Sequence, residues 1–171
     1  MDILRYRDLV DVPWKNGGGI TRNIARATLG DSAVWRISRA DVGQDGAFSS
    51  FPTLERILTV VTDTGMSLHH TGGVLAALPW APVRFSGALD VMARLDDGPL
   101  TDLNLMFDPS RCAADVQTLR GPMTRQIQQP ELDLTALHVL AGQPVIDTQQ
   151  LGLGDTAFLT RPSDMVLAQG D

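Results

Sequence analysis

Apolar and polar residues alternate with a period of two along much of this chain, and glycine or proline interrupts the pattern before a helical period develops. In Ala33-Val34-Trp35-Arg36-Ile37-Ser38-Arg39-Ala40, Trp35 and Ile37 share one face while Arg36 and Ser38 share the other. Arg56–Thr62 is rich in β-branched residues, and Gly65–His69 follows after a turn at Thr62-Asp63-Thr64. Further strands are predicted at Val83–Phe85, Leu89–Leu95, Asp102–Phe107, Ala136–Ala141 and Thr156–Thr160. The best helical stretch, Cys112–Leu119, is closed by Gly121-Pro122, and Asp108-Pro109-Ser110 before it has the residues to start a single turn. Short, evenly spaced strands separated by turn residues predict a nearly all-β sandwich or barrel. No internal repeat is legible, so residues 1–171 are read as one unit, with any two-barrel duplication left without a readable boundary.

Composition narrows the classes of partner. A chain of 171 residues with 43% hydrophobic and 20% charged positions is long enough for one core or two small halves. Its formal charge of −6 opposes a nucleic-acid footprint, which needs a clustered basic surface. A small anion needs only two or three local cations and is not excluded. Cys112 is the single cysteine, so an internal disulfide cannot form and a reducing compartment is expected. Charge interrupts Met1–Asp8 every two or three residues, unlike a signal peptide, and no apolar run reaches the length of a membrane helix. The expectation is a cytoplasmic protein without a membrane partner.

Candidate chemistry concentrates first in Pro13-Trp14-Lys15-Asn16-Gly17-Gly18-Gly19-Ile20-Thr21-Arg22. Three successive glycines are costly to order, so the segment is expected to need positive φ or a close approach of its backbone. Lys15 precedes the glycines instead of following them, which excludes a phosphate-binding loop, and no Gly-x-Ser-x-Gly elbow occurs. His69 and His70 are adjacent and point to opposite faces of a strand; with His138 they make no metal-ligand spacing, so no metal is expected. Asp102 and Asn104 share a face with Met106, as Arg36 does with Ser38. These faces either line a polar cavity or lie in solvent with Trp35, Ile37, Leu103 and Leu105 turned to the core; periodicity alone favours the solvated arrangement. In Gly46-Ala47-Phe48-Ser49-Ser50-Phe51-Pro52 two phenylalanines bracket two serines, as a pocket lip or as a loop pinned by its aromatics. Arg56, opening a strongly β-forming run, needs Asp102 or a ligand carboxylate as partner if buried.

Together these blocks resemble the HutD/Ves family. The resemblance rests on Pro13–Gly19 with Thr21-Arg22, on Trp35-Arg36-Ile37-Ser38, on Gly46-x-Phe48-Ser49-x-Phe51-Pro52 with Arg56, and on Gly98-Pro99-x-x-Asp102-Leu103-Asn104-x-Met106, in family order over residues 13–106. Thr53 and Glu55 depart from the glycine and aspartate the family tends to carry before Arg56. The resemblance implies an all-β, cupin-like (RmlC-type) jelly-roll β-barrel, described for the family as two small barrels in one compact chain. It also implies an association with bacterial histidine utilisation, no established catalysis, and no cofactor or metal ligands. The expected function is non-enzymatic binding of a small polar anion, such as urocanate or formylglutamate, in a regulatory or accessory role. Lys15, Arg22, Arg36 and Arg56 would meet its carboxylate, Asn16, Ser38 and Asn104 would orient it, and Asp102 completes the set. The alternative is a metal-independent isomerase or hydrolase acting on a small organic acid, with Asp102 as acid or base. A homodimer is left open.

Overall fold

The structure is a computed structural model that describes residues 1–129 and 133–171. In chain order its strands begin with β1 (Asp2–Leu4), β2 (Asp11–Pro13), β3 (Gly19–Leu29), β4 (Ser32–Val42), β5 (Gly46–Ala47) and β6 (Glu55–Val60). They continue with β7 (Met66–His70), β8 (Gly73–Ala77), β9 (Val83–Ser86), β10 (Met92–Leu95) and β11 (Leu100–Phe107). The last are β12 (Met123–Ile127), β13 (Thr135–His138), β14 (Val145–Ile146), β15 (Gln149–Gln150), β16 (Thr156–Leu159) and β17 (Ser163–Leu167). The fold is all-β and cupin-like, built from facing antiparallel sheets in jelly-roll fashion and not from one closed barrel. Among the described residues the only helix is a single 3-10 turn at Tyr6–Asp8. The turn expected after Asp108 forms, with Arg111 and Cys112 N–H groups donating to the Asp108 carbonyl, but it does not propagate into a helix.

The chain divides into two compact units, one of residues 10–118 and one joining residues 1–9 to residues 119–171. In the larger unit a six-stranded sheet in the order β2-β3-β4-β11-β6-β9 faces a four-stranded sheet, β5-β10-β7-β8. Val42, Leu58 and Val60 from the first meet Met66, Leu68, Ala77 and Ala93 from the second in a core where each is essentially inaccessible. That core closes only part of the space between the sheets. Toward one end the inward positions of β4, β11 and β6 become polar, and this change of composition positions the site.

Register fixes which side chains meet there. β4 and β11 pair Arg36 with Met106, Ser38 with Asn104 and Ala40 with Asp102. β11 and β6 continue the same rows, pairing Met106 with Arg56, Asn104 with Leu58 and Asp102 with Val60. The faces that periodicity alone left to solvent are therefore the inward ones: Ser38, Asp102 and Asn104 are buried, whereas Trp35, Ile37, Leu103 and Leu105 are half-buried on the other face. A period of two separates the faces without saying which of them is covered.

The smaller unit sets a three-stranded sheet, β1-β16-β13, against a four-stranded one, β12-β17-β14-β15. Ala157 and Leu159 on β16 join Ile146, Leu151, Met165 and Leu167 in its core, with Ile3 packed against them. The charged N-terminal segment is thus a strand partner of the C-terminal third of the chain. Asp155 fixes it there, accepting from Arg5 Nη1 at 2.7 Å, from the Tyr6 N–H at 2.9 Å and from the Gly152 N–H at 2.9 Å. Burial opposes its ionisation, but these donors outweigh burial and hold its carboxyl below the usual carboxylate range.

Candidate functional site

The polar end of the larger unit encloses a cavity of about 540 Å³. Seven of the eight residues singled out in the sequence line it: Lys15, Asn16, Arg36, Ser38, Arg56, Asp102 and Asn104. Arg22 is not among the lining residues. The β2–β3 register sets it opposite Asp11, and its guanidinium bonds Asp11 Oδ1 and Asp41 Oδ2, each at 2.6 Å. Strand alternation places neighbouring Thr21, opposite Ala40, in the lining instead.

The three glycines shape the loop between β2 and β3 without lining the cavity. Gly17 takes φ +70°, which glycine adopts without steric cost. At Gly19 a Cβ would collide with the Asp41 backbone carbonyl and press on the Trp14 ring. The missing side chain lets Trp14 fold inward, where its indole Nε1 donates to Thr21 Oγ1 at 2.7 Å. Asn16 Oδ1 accepts the Gly18 N–H at 3.0 Å, closing the loop and leaving the amide nitrogen of this lining residue as a donor.

Aromatic rings hold the two buried-face arginines. Arg56, only 5% exposed, lies between Phe48 and Phe85 with its guanidinium carbon 5.0 and 5.1 Å from the ring centroids. Arg36 sits 5.7 Å above the Phe51 ring. Such contacts favour a weakly hydrated planar cation and leave its edge donors free to point elsewhere. The Nε of each arginine is buried without a hydrogen-bond partner among the described residues. Both roles considered for the Phe48–Phe51 segment are realised. Phe48, Ser49 and Phe51 line the cavity, while Phe48 also packs on the core and the Ser50 hydroxyl donates to the Gly87 carbonyl at 3.3 Å. Phe85 lies in a strand legible in the sequence, but only the pairing of β6 with β9 brings it beside Arg56.

Asp102, Asn104 and Arg56 form a relay. Arg56 Nη2 donates to Asn104 Oδ1 at 2.8 Å, and Asn104 Nδ2 donates to Asp102 Oδ1. Burial pushes the Asp102 carboxyl up to about 7, with Arg56 opposing the rise and Asp41 adding to it. Burial likewise lowers Arg56 to about 10, against the attraction of Asp102 and with the repulsion of Arg36, so it stays protonated at neutral pH. Arg36 is also lowered, by burial first and then by Arg26. With Lys15 the cavity holds three basic side chains against one carboxyl group, whose ionisation burial opposes.

The histidines lie elsewhere. His69 Nε2 is 3.1 Å from Ser67 Oγ, His70 Nδ1 accepts the Gly72 N–H at 3.1 Å, and His138 Nδ1 is 2.8 Å from Thr156 Oγ1. Among the described residues no three His, Cys, Asp or Glu side chains are grouped to hold a metal ion, and no helix is long and apolar enough to cross a membrane.

Fold and cavity together define a cupin-like all-β protein with a cation-rich polar cavity in its larger unit. The chain belongs to the HutD family, whose model matches residues 6–171. It is 35% identical over 160 residues to a Pseudomonas putida protein described as an uncharacterized 21.2 kDa protein in the hutC 3′ region, covering 91% of this chain and 84% of that one. It is also 32% identical over 120 residues to protein Ves of Citrobacter koseri, covering 67% of this chain and 63% of that one. The structure of HutD from Pseudomonas fluorescens SBW25 in a formate condition superposes with a TM-score of 0.83 at 30% identity, over 99% of this chain and 98% of that one.

Proposed function

We propose that this protein is a non-enzymatic binder of a small carboxylate, taken up in the cavity of the larger unit, with a regulatory or accessory role in histidine utilisation. The observation that carries the reading is the row Arg36–Met106–Arg56, which brings two arginines two strands apart to the lining of one cavity. Guanidinium edges match carboxylate oxygens in pairs, and Lys15 and Asn16 at the β2–β3 loop extend the donor set. The volume suits a metabolite, since small-molecule sites run from roughly 300 to 1,000 Å³. The family and the genomic description of the P. putida relative support the link to histidine utilisation. On this reading the protein works in the cytoplasm, where a degradation intermediate would be met.

A thermal-shift panel of formate, glutarate, N-formylglutamate and urocanate tests the reading. A true ligand at about 100 times its Kd stabilises the fold by roughly 2.7 kcal/mol. If no carboxylate in the panel raises the transition, the anion site is wrong. One observation favours a second reading, a metal-independent isomerase or hydrolase: a cavity carboxyl poised near neutrality is equipped to move protons. Conversion of a panel compound on incubation, abolished in Asp102→Asn, would establish it over simple binding.

A further inference from the structure

A carboxyl group is an odd wall for an anion site, because as a carboxylate Asp102 would repel the ligand that Arg36, Arg56 and Lys15 attract. The hydrogen-bond directions resolve the conflict. Arginine has no acceptor, so the atom of Asn104 facing Arg56 Nη2 is necessarily its oxygen, and the atom facing Asp102 Oδ1 is necessarily its NH₂. Asp102 Oδ1 is therefore fixed as an acceptor. Asp102 Oδ2 has no hydrogen-bond partner among the described residues, and Asp102 is itself a wall of the cavity while only 1% exposed. If Asp102 holds a proton, that proton belongs on Oδ2, facing the ligand.

We propose that Asp102 recognises the ligand as a neutral carboxylic acid, donating from Oδ2 to a ligand carboxylate oxygen, so that anion binding takes up one proton from solvent. This rests on the carboxylate-binding reading above and adds the residue that makes binding depend on protonation. The balance is explicit: ionised ligand, ionised Asp102 and one solvent proton become a complex in which Oδ2–H donates to the ligand. An O–H to carboxylate bond is among the short, strong hydrogen bonds. Asp102 is a specificity residue here as well, because its outward-facing hydroxyl rewards an acceptor and disfavours a ligand that presents an amine or ammonium in that place.

The surrounding charges allow the change. Asp102 shares its strand with Asn104. From β6 it faces Arg56; from β4, Arg39 and Asp41 flank the paired residue Ala40, with Arg36 further along; from the β2–β3 loop, Lys15 lines the same cavity. Arg56, lowered by burial only to about 10, stays protonated through neutrality. Burial opposes ionisation of Asp41, but hydrogen bonds from Arg22 and Thr101 outweigh it and hold its carboxyl below the usual carboxylate range. Asp102 is the one carboxyl group in the lining, and burial raises it toward neutral pH.

The test is calorimetric titration of the intact chain with formate, glutarate, N-formylglutamate and urocanate between about pH 7 and about pH 9, where every ligand carboxylate is already ionised. Each titration is run in two buffers of different ionisation enthalpy. Expected are net proton uptake approaching one per ligand at the alkaline end, and a Kd that rises by roughly tenfold per pH unit there. In Asp102→Asn the uptake and the pH slope should both vanish, whatever the absolute affinity. Binding by the parent with no proton uptake and a flat pH profile overturns the inference while leaving the anion site standing. Uptake that persists in Asp102→Asn also overturns it. Absence of binding by every compound defeats the underlying carboxylate reading itself. The two-buffer measurement on the parent decides the matter even if the variant fails to fold.

Discussion

Arg56 and Asp102, a guanidinium and a carboxyl group, lie on the inward face of neighbouring strands, and the Asn104 amide joins them in place of a direct ion pair. A direct pair would spend the carboxylate and the guanidinium on each other. The interposed amide spends one Nη2 donor and one Oδ1 acceptor, and it leaves the other polar atoms of both residues for the cavity.

Asn104→Leu removes both bonds of the relay and strands a guanidinium donor and a carboxyl oxygen in a buried setting. Each orphaned group costs about 1–3 kcal/mol, so the variant should melt several degrees below the parent. Thermal unfolding followed by circular dichroism reads this directly. A transition matching the parent's would mean that the amide contributes nothing to holding the face together.

Asp102→Asn should change stability in a pH-dependent way. The folded carboxyl titrates at about 7, above an unfolded value near 4, so its contribution is fully present in acid and is lost as pH rises through the folded value. The variant has no such loss. It should equal or trail the parent near pH 5 and exceed it by the order of a few kcal/mol near pH 8. Unfolding by urea at the two pH values, without added ligand, checks the crossover.

The opposite sign is expected at Asp155, whose carboxyl is held low. Its contribution is present above the unfolded value near 4 and disappears as pH falls through the folded one. Asp155→Asn should therefore lose stability at neutral pH by about 1–3 kcal/mol and show a flatter acid limb. It should also release the β1 segment, seen as faster proteolysis near Arg5 and Arg7.

The three glycines should respond unequally to alanine. Gly19→Ala meets a backbone carbonyl that cannot move aside and should be the most damaging. Gly17→Ala has open space but a left-handed backbone, a cost of about 1–2 kcal/mol. Gly18→Ala meets only the Asn16 side chain, at 3.3 Å, and should be the mildest. Comparative melting of the three variants checks the order; a damaging Gly18→Ala beside a silent Gly19→Ala would refute this account of the loop.

Arg36→Ala and Arg22→Ala should separate binding from folding. Losing Arg36 removes charge-assisted hydrogen bonds worth about 1.5–3 kcal/mol and should weaken carboxylate binding by roughly ten- to a hundredfold. Losing Arg22 breaks bonds to Asp11 and Asp41 and should lower the melting temperature with little effect on Kd. Titration and melting of both variants give the comparison.

Much of the site was legible because its residues sit on strands with clean alternation. Arg36 and Ser38 on β4, and Asp102 and Asn104 on β11, were grouped correctly by period alone, but period carries no information about which face is covered. Arg22 misled because its charge is visible in sequence, whereas its outward direction depends on the pairing of β2 with β3. β3, with β4 the longest of the described strands, shows no clean alternation in the sequence. Its register shifts between Asn23 and Ala25 and again between Ala27 and Thr28, which breaks the two-residue rhythm. Phe85 and the partnership of β1 with β16 depend on contacts distant in sequence, which no local pattern can encode.

On β4 and β3 the inward neighbours of Asp102 and Asn104 are Ala40, Ser38 and Thr21, all small. The cavity is therefore a gap left by short side chains, while its charge comes from other positions. Lengthening Ala40 alone would shrink the chamber without touching a cation or a ladder hydrogen bond. Size and polarity of the cavity are thus written on separate residues, and a lineage could change one while keeping the other.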